Sequence, residues 1–392
     1  MNDRYMAFAA GGAALAIAAA LTARPAGAPA SLPPAPRHTP VSCAGFAPLT
    51  ALAAVTAISS RDAWAVGWSP SRGTVRALAV HWNGTSWTRV PGPGGPRSHL
   101  FGVTATSARN AWAVGDFSGR ALIERWNGAA WATVAAPGGS GSGLDEVAAT
   151  SARNAWAVGV HITAGQVLPV IDRWNGTVWQ QVSSPLPAGT SGGALFGLAA
   201  TSPSQAWAVG YTFHRRQPSR TWTERWNGTT WRPVPSPSRG SGQNVLNQAA
   251  ATSAASAWAV GYYYNSADQQ EPLAEHWNGT AWAVVPSPPG SPDGGFLGGV
   301  SATSQAGAWA VGASCTRSGT HRTLIERWNG TAWTRVPSPN AAGARDSYLT
   351  QVTTVSAGNA WAVGWSSSGM TSQLLIEHWN GHAWEIMPIG RK

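Results

Sequence analysis

The chain has 392 residues, of which 43% are hydrophobic and only 11% charged, with 24 tryptophans; so much burying surface excludes global disorder. Two cysteines exclude a disulfide-built scaffold and a cysteine zinc cluster. The net charge of +10 is thinly spread, its densest stretch being Arg215, Arg216 and Arg220, which excludes specific nucleic-acid readout, where basic residues cluster on one face.

Residues 1–30 open with Arg4, continue through an uncharged alanine-rich run from Tyr5 to Ala23, and reach Ala28-Pro29-Ala30 before Ser31. That order reads as a secretory signal peptide, with an uncleaved anchor as the alternative. Residues 31–51 are proline-rich and aperiodic, as a linker would be. No second long apolar run follows, so no membrane span is expected after signal cleavage. A secreted or cell-envelope, extracytoplasmic location is the corresponding expectation.

From residue 52 onward one unit repeats. Ala-Trp-Ala-Val-Gly occurs seven times, with its Trp at 64, 112, 156, 207, 258, 309 and 361. Each copy is followed by Trp-Asn-Gly-x-x-Trp, beginning at Trp82, Trp126, Trp174, Trp226, Trp277, Trp328 and Trp379. Twelve residues before the first Trp of every copy stands a Leu, from Leu52 to Leu349. A period of 44 to 52 residues with several short β-prone runs predicts propeller blades. In the second copy, 100–107, 111–115, 121–126 and 131–134 read as four strands, the last two joined by the Asn127-Gly128 hairpin turn.

The expected fold is therefore all-β: a seven-bladed β-propeller of four-stranded antiparallel blades spanning 52–392. Its repeats are 52–99, 100–143, 144–194, 195–245, 246–296, 297–348 and 349–392. Each copy starts with its inner strand, so the ring closes without a blade shared between the termini and needs another fastening. Cys43 precedes the first inner strand by nine residues, a reach of about 30 Å. A Cys43–Cys315 disulfide is one reading, and two unpaired thiols the other.

The Gly-x-x-Trp spacing after the hairpin, as in Gly84-Thr85-Ser86-Trp87 and Gly330-Thr331-Ala332-Trp333, resembles the Asp-box, or bacterial-neuraminidase, repeat. The Ala-Trp-Ala-Val-Gly strand looks like photosystem II assembly-factor-like propellers, and Kelch-type and galactose-oxidase-type propellers share the architecture more loosely. Where an Asp box has Asp two residues before the Gly, this chain has Trp, so sialidase chemistry does not come with the motif. The string from Leu324 to Gly330, with Glu326 and Trp328, also resembles fucose-binding propeller lectins.

An acid precedes the hairpin Trp by two residues in six copies (Glu124, Asp172, Glu224, Glu275, Glu326, Glu377), with Val80 in the first copy. A base follows it in all seven: His81, Arg125, Arg173, Arg225, His276, Arg327 and His378. Neighbours on a strand face opposite ways, so a ring of ion pairs between blades is expected, with sugar binding as the rival reading. Asp145 with Glu146, and Asp268 with Glu271, are close acidic pairs in single copies, and sequence proximity does not place two carboxylates about a sugar bond. No zinc-protease, phosphate-loop or serine-elbow motif appears. No catalytic residue, metal or cofactor is expected.

The departures from the repeat lie after the second strand. Tyr211, His214, Arg215 and Arg216 in copy four, Tyr262, Tyr263 and Tyr264 in copy five, and Trp68 and Trp365 in copies one and seven read as an exposed binding rim. The functional expectation is a monomeric, non-catalytic binding or scaffold module for a protein or glycan of the cell envelope or extracellular space. A multivalent carbohydrate-binding lectin is the first alternative, and a sialidase-like or other glycoside-processing enzyme the second.

Overall fold

The computed structural model describes residues 48–390 except 93, 216 and 289–293. The signal segment, most of the linker, Cys43 and Arg216 lie outside the described residues. Seven sheets of four antiparallel strands form the seven blades of a β-propeller, each built from one repeat. No helix occurs among the described residues. In blade two the strands are Ser98–Ser107, Asn110–Phe117, Arg120–Trp126 and Trp131–Val134, so the second strand outruns its five-residue motif.

The hairpin joining third and fourth strands explains the Asn-Gly pair. In blade one Asn83 Oδ1 accepts from the backbone N–H of Thr85 and of Ser86, both at 3.0 Å, and from Thr85 Oγ1 at 2.8 Å. Gly84 follows at φ +95°, a left-handed value that costs a side chain but not glycine. The preceding Trp82 indole donates to Ser60 O at 3.0 Å, tying this hairpin to the turn between the first and second strands of the same blade.

The glycine of Ala-Trp-Ala-Val-Gly has a different cause. Every inner strand carries a β-bulge one residue after its repeating Leu, so that residue has no partner on the second strand. The bulge drives the carbonyl of the residue before the Leu into the place of a side chain: a Cβ on Gly210 would lie 1.9 Å from Ala194 O. The bulge also re-aims the unpaired side chain, as bulges do near sites.

Three indoles fill each junction between blades. Trp156 of blade three meets Trp226 at 4.7 Å and Trp231 at 5.2 Å, both of blade four. The same trio closes the ring, where Trp361 of blade seven meets Trp82 and Trp87 of blade one at 4.9 and 5.1 Å. Each buried indole removes about 150–250 Å² from water, worth about 4–6 kcal/mol. These contacts account for the Trp recurrence.

The expected ring of ion pairs is not formed. The bases lie on the indoles instead: Arg173 sits 4.9 Å over Trp156 and 5.2 Å over Trp226, and His81 lies 4.3 Å from Trp64. The acids enter the junctions too, but are fully or almost fully buried, and three of them are bound by hydroxyls of the preceding blade. Ser184 donates to Glu224 at 2.7 Å, Ser236 to Glu275 at 2.7 Å and Ser338 to Glu377 at 2.9 Å. Alternation along the strand did separate acid from base; the indole face, attractive to a cation, holds the base apart.

Acid and hydroxyl change together around the ring. The serine stands five residues after the last Trp of its blade, at Ser184, Ser236, Ser287 and Ser338; blades one, two and seven have Gly92, Ala136 and Ile389 there. Opposite Gly92, Glu124 takes its bond from Thr133 of its own blade at 2.8 Å. Opposite Ala136 the shorter Asp172 has no hydrogen-bond partner among the described residues. At the seam, Ile389 packs against the cluster that holds Val80, so an apolar pair replaces the polar one.

Ile389–Gly390 also form a fifth strand, parallel to the outer strand Trp87–Val90 of blade one. This fastening was not read from the sequence. Ending the chain after Pro388 should lower stability by about 1–2 kcal/mol through lost apolar contact, read as an earlier urea midpoint; an unchanged midpoint would show that the strand contributes nothing. Cys315 is disulfide-bonded.

Candidate functional site

The bulges set seven residues in a ring about the axis: Ala53, Phe101, Asp145, Phe196, Asn247, Gly298 and Thr350. The next residue of each inner strand forms a second ring, small in blades one, two, four and six (Ala54, Gly102, Gly197, Gly299) and long and polar in the other three. Glu146 of blade three accepts from Gln248 of blade five and, at 2.7 Å, from Gln351 of blade seven. Gln351 in turn accepts from the Val55 N–H of blade one at 2.6 Å. The glycines are required here, since a Cβ on Gly197 would lie 2.5 Å from the Cα of Gln248. These contacts cross the propeller axis and tie non-adjacent blades together.

Burial pushes the Glu146 carboxyl up to about 8, although Val147 N–H and both glutamines bind it. With its oxygens committed to amides, it does not converge with Asp145 on a substrate. The other acidic pair lies apart from the axis: Asp268 is exposed at a turn with φ +58°, and Glu271 accepts from Asn265 at 3.3 Å. No group of three or more metal-ligating side chains occurs among the described residues.

An aromatic collar surrounds the mouth above these rings. One arc holds Phe196, Tyr211 and Tyr262; the other holds Trp68, Tyr348 and Trp365; Phe296 packs against both. The expectation that the rim residues are all exposed is therefore corrected for Trp68, Tyr211, Tyr262 and Trp365, each buried to 3% exposure or less. The reason is strand length. Second strands reach Ser71, Phe213, Tyr264 and Ser368 in these blades, so residues directly after the motif glycine are still on the sheet. Trp68 donates its indole N–H to Pro48 O at 3.1 Å, and Trp365 stacks on Tyr348 at 4.3 Å.

The remaining rim residues lie nearer solvent. Arg215 is exposed, while His214, Tyr263 and Tyr264 are half-buried, and Arg239 covers Tyr263 at 5.1 Å. Sequence reasoning missed Phe101, Asp145, Phe196 and Phe296 as mouth residues, because only the bulge brings three of them to the ring. It also missed a polar cluster where Tyr348 Oη meets His321 Nδ1 at 2.6 Å and Asp346 Oδ1 lies 3.1 Å from the same nitrogen.

No family model and no curated protein matches the sequence. Solved structures do match in shape. The chain resembles YCF48 bound to D1 peptide at 13% identity and a TM-score of 0.52, over 88% of this chain and 95% of that one. It resembles YCF48 from Cyanidioschyzon merolae at 14% identity and 0.53, over 86% and 97%, and U3-55K at 10% and 0.55, over 86% and 95%. The likeness is one of fold.

Proposed function

We propose that this chain is an exported, non-catalytic binding propeller that holds a protein or glycan of the cell envelope or extracellular space at the rim of its collar. One observation carries the reading: the repeating side chains are consumed by packing, while the non-repeating ones gather at the mouth. The indole trios, the bases stacked on them and the buried acids leave little of the repeat to touch a ligand. Arg215, His214 and Tyr263 stay accessible over a rigid frame, and Tyr and Arg are the residue types that dominate binding hot spots. A propeller of like fold has been seen with a peptide bound. A lectin built on the repeat would need Glu326, which is 1% exposed.

Replacing Arg215 and Tyr263 with Ala should cost no more than about 2 kcal/mol of stability and leave the protein folded, since Arg215 is exposed and Tyr263 only half-buried. It should abolish retention of envelope or medium components by the immobilised protein. Retention unchanged by the double variant would reject the rim, and turnover of a chromogenic glycoside would reject the non-catalytic reading.

Export carries a second expectation. Cys315 is disulfide-bonded and the chain's other cysteine is Cys43, so the pair should be Cys43–Cys315 in the exported protein. Thiol labelling of denatured, unreduced protein should then find no free thiol. Two labelled cysteines would exclude the bridge.

A further inference from the structure

The ring of bulge residues carries one charge. Asp145 of blade three stands between Phe101 of blade two and Phe196 of blade four, and its six companions in the ring are uncharged. Its carboxyl is half-buried and has no hydrogen-bond or ion-pair partner among the described residues. Across the ring, Thr350 has turned its hydroxyl to Leu52 O and Val363 O, at 3.0 and 2.9 Å. The nearby acid Asp116 is already engaged by His99 Nδ1 at 2.8 Å. Nothing of opposite sign among the described residues therefore answers Asp145.

A second observation points the same way. Tyr211 and Tyr262, 3% and 1% exposed, both have hydroxyls without a hydrogen-bond partner among the described residues. The Tyr211 phenol lies within electrostatic reach of Asp145, and Tyr262 within reach of Tyr211. Buried hydroxyls in native proteins are normally satisfied, so these are groups awaiting a donor or acceptor. The described residues offer no set of metal ligands. One carboxylate beside aromatic rings and a phenol is instead the donor set for an organic cation, which gains both from the charge and from the ring faces.

We propose that the collar mouth at Asp145 receives the ammonium or guanidinium of a partner's lysine or arginine side chain, its stem against Phe101 and Phe196 and its N–H groups donating to Asp145, beside the buried Tyr211 phenol. This deepens the binding reading above and rests on it for the choice of face. It makes the partner a protein with a protruding basic residue.

The test uses the mature chain and four probes in titration calorimetry: the capped tripeptides Gly-Lys-Gly, Gly-Arg-Gly and Gly-norleucine-Gly, and glucosamine. At least one basic tripeptide should bind about tenfold or more tighter than the norleucine one, the 1.4 kcal/mol that a specific charge contact supplies. Asp145→Asn should remove that preference without lowering the melting midpoint, and Phe196→Leu should weaken it several-fold. Equal binding of lysine and norleucine peptides, no detectable binding of either basic peptide, or a preference untouched by Asp145→Asn would overturn the proposal. Glucosamine binding as well as the basic peptides would overturn the choice of a protein source. If Asp145→Asn still retains an envelope partner that the Arg215 and Tyr263 double variant loses, the cation niche fails while the binding reading stands. If the basic peptide binds but no partner is retained, the niche stands and the rim reading fails.

Discussion

Gly210→Ala is expected to cost at least about 3–5 kcal/mol, in the range of the most damaging single substitutions, and to sharply reduce soluble yield. The new methyl would stand 1.9 Å from Ala194 O, far inside the contact distance of carbon and oxygen. The atom in the way is backbone, held in the ladder on both sides of the bulge by the pairs Leu195↔Gly210 and Gly197↔Val209. Moving it means removing the bulge. That would slip one flank of the inner strand by one residue and exchange the faces of its side chains, taking Leu195 or Leu198 out of the core cluster they share with Trp156 and Trp226. The control is Gly119→Ala, at φ +75° with nothing within 4 Å of the added methyl, where only backbone strain of about 1 kcal/mol is expected. Urea midpoints of the two variants decide the matter. Equal, small shifts would mean that the bulge is soft and that the motif glycine has another cause.

The blades were legible because three signals recur in fixed order: the Leu, the Ala-Trp-Ala-Val-Gly strand and the Trp-Asn-Gly-x-x-Trp hairpin. Each maps onto one mechanical part: core contact, junction indole and turn. What was not legible depends on contacts between repeats. Strand alternation placed Glu224 and Arg225 on opposite faces correctly, but could not say that Arg225 would meet indoles, 5.4 Å over Trp207, and Glu224 a serine. The serine was readable in principle, since Ser184, Ser236, Ser287 and Ser338 hold one offset from the last Trp; its meaning appears only when one blade faces the next. Asp145 was visible as half of an acidic pair. Its isolation from Glu146 follows from the bulge, which no composition or period announces.

Stability should fall as pH rises through neutrality. Burial raises the carboxyls of Glu124, Asp172, Glu224 and Glu326 to about 7 and those of Glu275 and Glu377 to about 8. Asp145 and Glu146 are raised to about 7 and about 8, again by burial first, with the Asp116 charge adding at Asp145. In the unfolded chain these groups titrate near 4. Between those limits the folded protein holds protons that the unfolded one has released. The stabilisation they carry is therefore complete below about pH 4 and is lost as pH climbs through about 7 to 8. Burial lowers the imidazoles of His276 and His378, which favours the folded state as pH rises, but only across the histidine range and only at two sites. Each pH unit by which folded and unfolded values differ is worth about 1.4 kcal/mol per acid, and one unit apiece is a lower bound here. For the six junction acids that makes roughly 8 kcal/mol, enough to move a melting midpoint by on the order of 10 °C for a domain of this size. Calorimetry at fixed ionic strength should find the highest midpoint near about pH 4 and a decline toward about pH 8. Changing Glu224, Glu275, Glu326 and Glu377 together to Gln keeps an acceptor for each serine and removes the titration. That variant should match wild type in acid and lose more than half of the decline. A wild-type midpoint that is flat or rising across the same span would mean that the junction acids ionise in place, with water admitted between the blades.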